Sequence, residues 1–386
     1  MIAGDNRRIV AAIAGEERAL CERLLGGRGR LTPGLVTAAC RHRVHLLVAD
    51  SLSEEERTRP ETVELARELR LAAALDLRSG QTIGRLLEAL AAAGVDALLM
   101  KGAGLAHTVY SASYLRARVD TDVLIEETAL DCAARVLTKA GWHRPTDRHV
   151  ELTAAQRHYT RSSTPGVFDH IDVHWRVADP LIFAGAFSFA ELRSRAIPVP
   201  GLGPHARTLG VADALLLACV HRVAHHHDEI QLLWLWDIHL LIQRASREDR
   251  DAFLALAERE RMCAVCRRGV ELSAECFGTP GARGLADALR RGAAAGAEPS
   301  ARFIRDSRLV TVLRSDLAAI DGWPRRVAFV AEHLFPSRAY MRSKYPACPS
   351  LLLPFAYGYR IARGAPKWFI GRKHVRNEVT RSGSDL

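Results

Sequence analysis

Nowhere in the 386 residues do about 18 apolar residues run uninterrupted, so the sequence predicts no membrane-spanning helix and no stable membrane insertion. Aromatics make up only 6%, which is lean for a surface that stacks many bases. The phosphate-loop signature G-x-x-x-x-G-K-[ST] is missing, and no internal repeat of fixed period stands out. The eight cysteines lack the dense spacing of a small secreted scaffold, so reduced thiols in a cytoplasmic setting are expected. The start, MIAGDNRRIVAAIAGEERAL, sets an acid beside its basic pair, and its apolar stretch is too short for a signal peptide.

What is present is globular. With 48% hydrophobic and 25% charged residues, the chain can bury a full core, and its length suggests two or three units. The net charge of +10, mostly arginine spread along the chain, attracts phosphate-rich partners. A nucleotide ranks above a long nucleic acid, and no DNA partner is indicated.

Apolar residues recur at three and four positions through IVAAIAGEERALCERLL, LVTAACRHRVHLLVADSL and ELARELRLAAALDLRSGQTIGRLLEALAAAG. Residues 1–92 therefore read as a helical support domain without chemistry of its own. At Val95 the period changes: DALLM is a strand, followed by a glycine-containing turn and a helix, GLAHTVY. VDTDVLI alternates as a second strand, followed by the amphipathic helix ETALDCAARVLTKAGW. HVELTA, RHYTRSST and VFDHIDVHWRV add strands between 148 and 178, making residues 93–205 a small α/β core. Helical pattern returns over 206–345, and 346–386 is a basic, loosely held segment broken first by prolines. The expected fold class is α+β, with a small mixed β-sheet flanked by N-terminal and C-terminal helical domains.

Asp120 and Asp122 lie two apart in a strand, so both carboxylates project from one side and together call for a cation. A hard divalent ion is held by one or two carboxylates along with substrate phosphates, which suits a strand-borne D-x-D. The bland alternative is a pair of solvated acids on an edge strand. Upstream, Lys101, Gly102, Ala103 and Gly104 offer a lysine and backbone N–H groups at a helix start, an anion site for a triphosphate or a plain β-α turn. Arg116 and Arg118 would clamp phosphate oxygens or neutralise the acids. Asp172 is the best third carboxylate, sharing a strand face with His170 and His174, with Asp169 its rival on the other face.

The ordered segments LLMKGAGLAHTVY, LRARVDTDVLIEETALDCAARVLTKAGW and IDVHW together resemble the uncharacterised nucleotidyltransferase family of the DNA polymerase beta-like superfamily. The resemblance spans roughly 35–345 and is strongest over 98–176. It implies a mixed sheet carrying Asp120, Asp122 and, rather than Asp169, Asp172 as ligands of two magnesium ions, with manganese an alternative. It also implies a nucleoside triphosphate such as ATP as substrate, with Lys101 and Gly102 replacing the superfamily's commoner Gly-Ser. Thr121 stands where an apolar residue is more usual.

In the reaction so implied, an acceptor attacks the α-phosphorus, Asp172 helps take its proton and pyrophosphate leaves. The acceptor is open: small molecule, peptide, protein or RNA. The alternatives are a non-catalytic nucleotide-binding or regulatory protein and an RNA-directed, toxin-like transferase. His221, His225 and Asp237 echo the family's H-x-x-x-H and later aspartate; they read first as a buried network and second as an acceptor site, since HRVAH lacks the glutamate of H-E-x-x-H. His226 and His227 are expected to be exposed. Cys263 and Cys266, and the tryptophans at 175, 234 and 236, read as packing residues. The basic end with Trp368 and Phe369 reads first as solvated and second as a contact for a membrane or an acidic partner.

Overall fold

The computed structural model describes residues 15–145, 155–164, 167–178, 181–294, 298–306 and 308–369. The expected strand HVELTA, the first fourteen residues and the chain past 369 lie outside them. In order, the elements that frame the site begin with helices α1 (Glu16–Leu24), α2 (Pro33–Arg41), α3 (His45–Asp50) and α4 (Val63–Ala92). The sheet region holds β1 (Ala97–Leu99), α5 (Lys101–Ala106), β2 (Thr121–Ile125), α6 (Leu130–Lys139), β3 (Gln156–Thr164) and β4 (Val167–His174). It continues through α7 (Leu181–Ala184), α8 (Phe189–Ser194), β5 (Ile197–Pro198) and β6 (Arg207–Thr208). Helices α9 (Val211–Ala224), α10 (Leu232–Arg244), α11 (Arg247–Arg259), α12 (Cys263–Phe277) and α13 (Ala282–Ala294) follow. Further helices continue to Phe369.

The α+β class holds: one mixed sheet runs in the order β3-β4-β2-β1-β6-β5. β2 pairs antiparallel with β1 and parallel with β4, and β3 closes antiparallel on β4. Two-residue alternation then decides which side chain meets which core. Val123, Ile125, Ile171 and Val173 face α4 and α6, where Leu86, Leu87, Leu90 and Leu137 are buried. Leu98 and Leu124 face the opposite way, into the large core built on α9 to α13. Each such aliphatic side chain stabilises the sandwich by about 1.5–3 kcal/mol, so the sheet's register is strongly specified.

Helix α4 spans two cores. Its first half gives Leu65 and Leu69 to a cluster shared with α1, α10 and α12, while Ile83 to Leu90 cover the sheet. The N-terminal helices thus pack on the C-terminal ones as well as on each other. Strand β6 sits just past residue 205, yet Thr208 is in register with Leu99 of β1, and its hydroxyl donates to the Leu99 carbonyl at 2.8 Å.

Candidate active site

Parallel pairing of β2 with β4 sets Asp122 beside Asp172 and Leu124 beside His174 in the same register. Antiparallel pairing of β3 with β4 then sets His158 beside Asp172. The acids converge because parallel pairing sets them side by side on adjacent strands. One ligand atom each from Asp122, Asp172 and His174 lies within 4.8 Å of the others, and all three residues are buried. Asp169, the rival acid, points into the other face, where Arg78 and Arg161 hold it at 3.0 and 3.3 Å.

Both acids of the pair are tied down. Lys101 Nζ donates to Asp122 Oδ1 at 2.9 Å, and His174 Nε2 lies 2.7 Å from the same oxygen. Burial alone would raise the Asp122 carboxyl, but the Lys101 charge and the His174 hydrogen bond outweigh it and hold the group well below the usual carboxylate range. Asp172 accepts from Gln156 Nε2 at 2.5 Å and pairs with His158 Nδ1 at 2.6 Å. His174 Nδ1 is buried with no hydrogen-bond partner among the described residues.

Asp120 just precedes β2 and stands outside the group of three, in which His174 takes the place expected for it. Burial, followed by the charges of Asp122 and Asp172, raises its carboxyl, while Lys101 and Arg43 act the other way. Asp120 instead lines a cleft of about 500 Å³ between α4 and the sheet.

Gly102, Ala103 and Gly104 are buried, and the glycines serve close packing. A Cβ at Gly102 would lie 2.7 Å from Arg116 Nη1, and one at Gly104 would collide with Thr208 Oγ1. Lys101 alone of this turn reaches the acids, from a left-handed backbone with φ of 45°. The two arginines expected at phosphate bind carboxylates of this chain. Arg116 makes a two-pronged, buried pair with Asp237 at 3.0 and 2.7 Å, and Arg118 bonds Asp76 and the Ser113 carbonyl.

That pairing corrects the expected histidine and aspartate network. Asp237 accepts from Arg116 on both of its oxygens and from the Tyr110 hydroxyl at 2.6 Å on one of them. His221 instead meets His226, Nε2 to Nε2 at 3.2 Å, and stacks near His225, with ring centroids 5.0 Å apart. His226 and His227 are half-buried, not exposed, and His226 stacks on Trp234 at 3.9 Å. Burial first, then Lys101, lowers His225 to about 3. Cys263 and Cys266 are core residues of α12.

Sequence reasoning missed His158 and Gln156, although alternation through RHYTRSST would have aligned His158 with Asp172 once β3 was paired to β4. It also missed Arg43. This residue sits at φ 57°, past the end of α2, where Arg43 N–H donates to Cys40 O and Val44 N–H to Ala39 O. That is a Schellman stop, a position glycine usually fills. Its guanidinium has no hydrogen bond or ion pair among the described residues, and it lines the same cleft as Asp120.

A family model described as uncharacterised nucleotidyltransferase matches residues 32–278, well over half of the chain. No curated protein matches the chain. The match covers α4, every strand of the sheet, Asp122 and Asp172, and helices α9 to α12. The chain belongs to this nucleotidyltransferase family and is an enzyme of nucleotidyl transfer.

Proposed function

We propose that the enzyme moves a nucleoside monophosphate from a nucleoside triphosphate to an acceptor hydroxyl and releases pyrophosphate. The observation that carries this reading is the in-register approach of Asp122 and Asp172, with His174 completing a buried group of three. The donor set fits a divalent cation, since two carboxylates and a histidine, whose Nε2 lies 2.7 Å from Asp122, converge within 4.8 Å. Asp122, Asp172 and His174 would hold it, with Asp120 adding negative charge alongside. A bound magnesium or manganese ion supplies charge neutralisation for the triphosphate and acidifies the acceptor hydroxyl.

The chain's own groups do the rest. Lys101, already on Asp122, balances phosphate charge. Asp172 is held by His158 and Gln156, which fixes the carboxylate against β3. Asp120 faces the cleft and is the carboxylate available to receive the acceptor's proton. The acceptor oxygen forms its bond to the α-phosphorus, the bond from that phosphorus to the bridging oxygen breaks, and pyrophosphate departs. Most of the acceleration comes from positioning and fixed charge, because this transfer needs little covalent chemistry from the protein.

The test is the mass gained by an acceptor when the protein is incubated with cell extract, magnesium and mixed nucleoside triphosphates. A gain equal to a nucleoside monophosphate supports the reading. A gain of a bare phosphate, or of pyrophosphate, contradicts it.

A further inference from the structure

Among the described residues, the cleft that meets Asp120 is lined by four arginines and, with Glu68, four carboxylates. Three of those arginines are spoken for. Arg78 pairs with Asp169, Arg118 with Asp76 and Arg116 with Asp237. Among the described residues Arg43 is left, lining the cleft with Asp120, on which its charge acts. A surface built for a polyanion needs a row of uncommitted cations along the strand it tracks, and this cleft has one.

Beside these polar groups its rim carries large apolar side chains that meet solvent. Leu71 and Leu75 of α4 are 58% and 40% exposed, and across the cleft Val119 and Phe168 are 71% and 58% exposed. Four large exposed apolar side chains around one opening are a costly arrangement unless something covers them. The volume, about 500 Å³, is that of a small-ligand site.

From these observations we infer that the cleft is the acceptor site, and that the acceptor is an electrically neutral molecule with an apolar body presenting a hydroxyl. This inference rests on the nucleotidyl transfer proposed above and names its acceptor class. The apolar body lies between Leu71, Leu75, Val119 and Phe168, its hydroxyl reaches Asp120, and Arg43 meets the phosphate that it attacks. An apolar peptide bearing serine and a small apolar alcohol or glycoside share this chemistry.

The test uses the full chain with labelled nucleoside triphosphates, magnesium and three probes: a neutral leucine-serine-leucine tripeptide amide, a phenyl glycoside and a short RNA oligonucleotide. Label should pass to the tripeptide or the glycoside, and which of the two accepts it separates the sources. Phe168→Ser and Leu71→Ser, both at exposed positions, should raise the KM for that acceptor about tenfold and leave the KM for nucleotide unchanged. Moderate salt should leave acceptor KM nearly constant. Transfer to RNA alone, a rise in nucleotide KM in the rim variants, or turnover that ignores both neutral probes would each overturn the inference while leaving nucleotidyl transfer intact. Absence of any nucleotide turnover that depends on Asp122 would remove the underlying reading, and the inference with it.

Discussion

Arg116 and Asp237 lock together through two hydrogen bonds, tying the segment before β2 to helix α10 across 121 residues of sequence. Both side chains are buried. Removing one partner leaves an uncompensated charge, so Arg116→Ala should lower stability by about 3–5 kcal/mol in urea unfolding. Arg116→Lys should recover only part of this, since an ammonium cannot copy the two-pronged geometry. Equal stability of the lysine variant and the wild type would show that the fork does not matter.

Lys101 joins a left-handed backbone to the hydrogen bond on Asp122. Replacing it by alanine or glycine removes the same amine from Asp122, but only glycine suits a φ of 45°. The glycine variant should be the more stable of the two by about 1 kcal/mol, and both should lose most turnover. Thermal unfolding of the two proteins side by side decides it; a more stable alanine variant would mean the strain is absent.

Gly104 packs against the Thr208 hydroxyl that bonds β1 to β6. Gly104→Ala should cost about 1–3 kcal/mol through overpacking. Adding Thr208→Ala should restore room, so the double variant should lose less than the sum of the two single losses. Strict additivity in denaturant titration would speak against the contact.

Acid should weaken the fold before ordinary carboxylates titrate. Burial lowers His239 and His226 to about 4 and His225 to about 3, well under the value near ~6.5 of an unfolded chain. The unfolded chain therefore takes up protons first, so stability is complete above about pH 6.5 and falls as pH drops toward about 4. Urea midpoints across that window should decline, and His239→Gln should flatten the decline. A flat wild-type profile would contradict the burial of these rings.

Much of the site was legible because a strand's period of two is simple to read. Asp122, Asp172 and Asp169 fell on their observed faces from alternation alone, and the apolar residues between them marked the core side. Partner choice was not legible. Nothing in the sequence says that Asp237 will take Arg116 rather than the histidines, since that depends on how α10 crosses the segment before β2. Strands β5 and β6 escaped notice because two residues show no period. Helix α4 read as mere support, since its exposed leucines acquire meaning only beside Phe168 and Val119.

The most direct measurement is pyrophosphate release by the purified protein with magnesium and nucleoside triphosphates, compared with Asp122→Asn and Asp172→Asn. The account predicts steady release by the wild type and a loss of at least about 10²–10³-fold in each folded variant. Wild-type rates in both variants would mean that these two neighbouring carboxylates do not perform the chemistry.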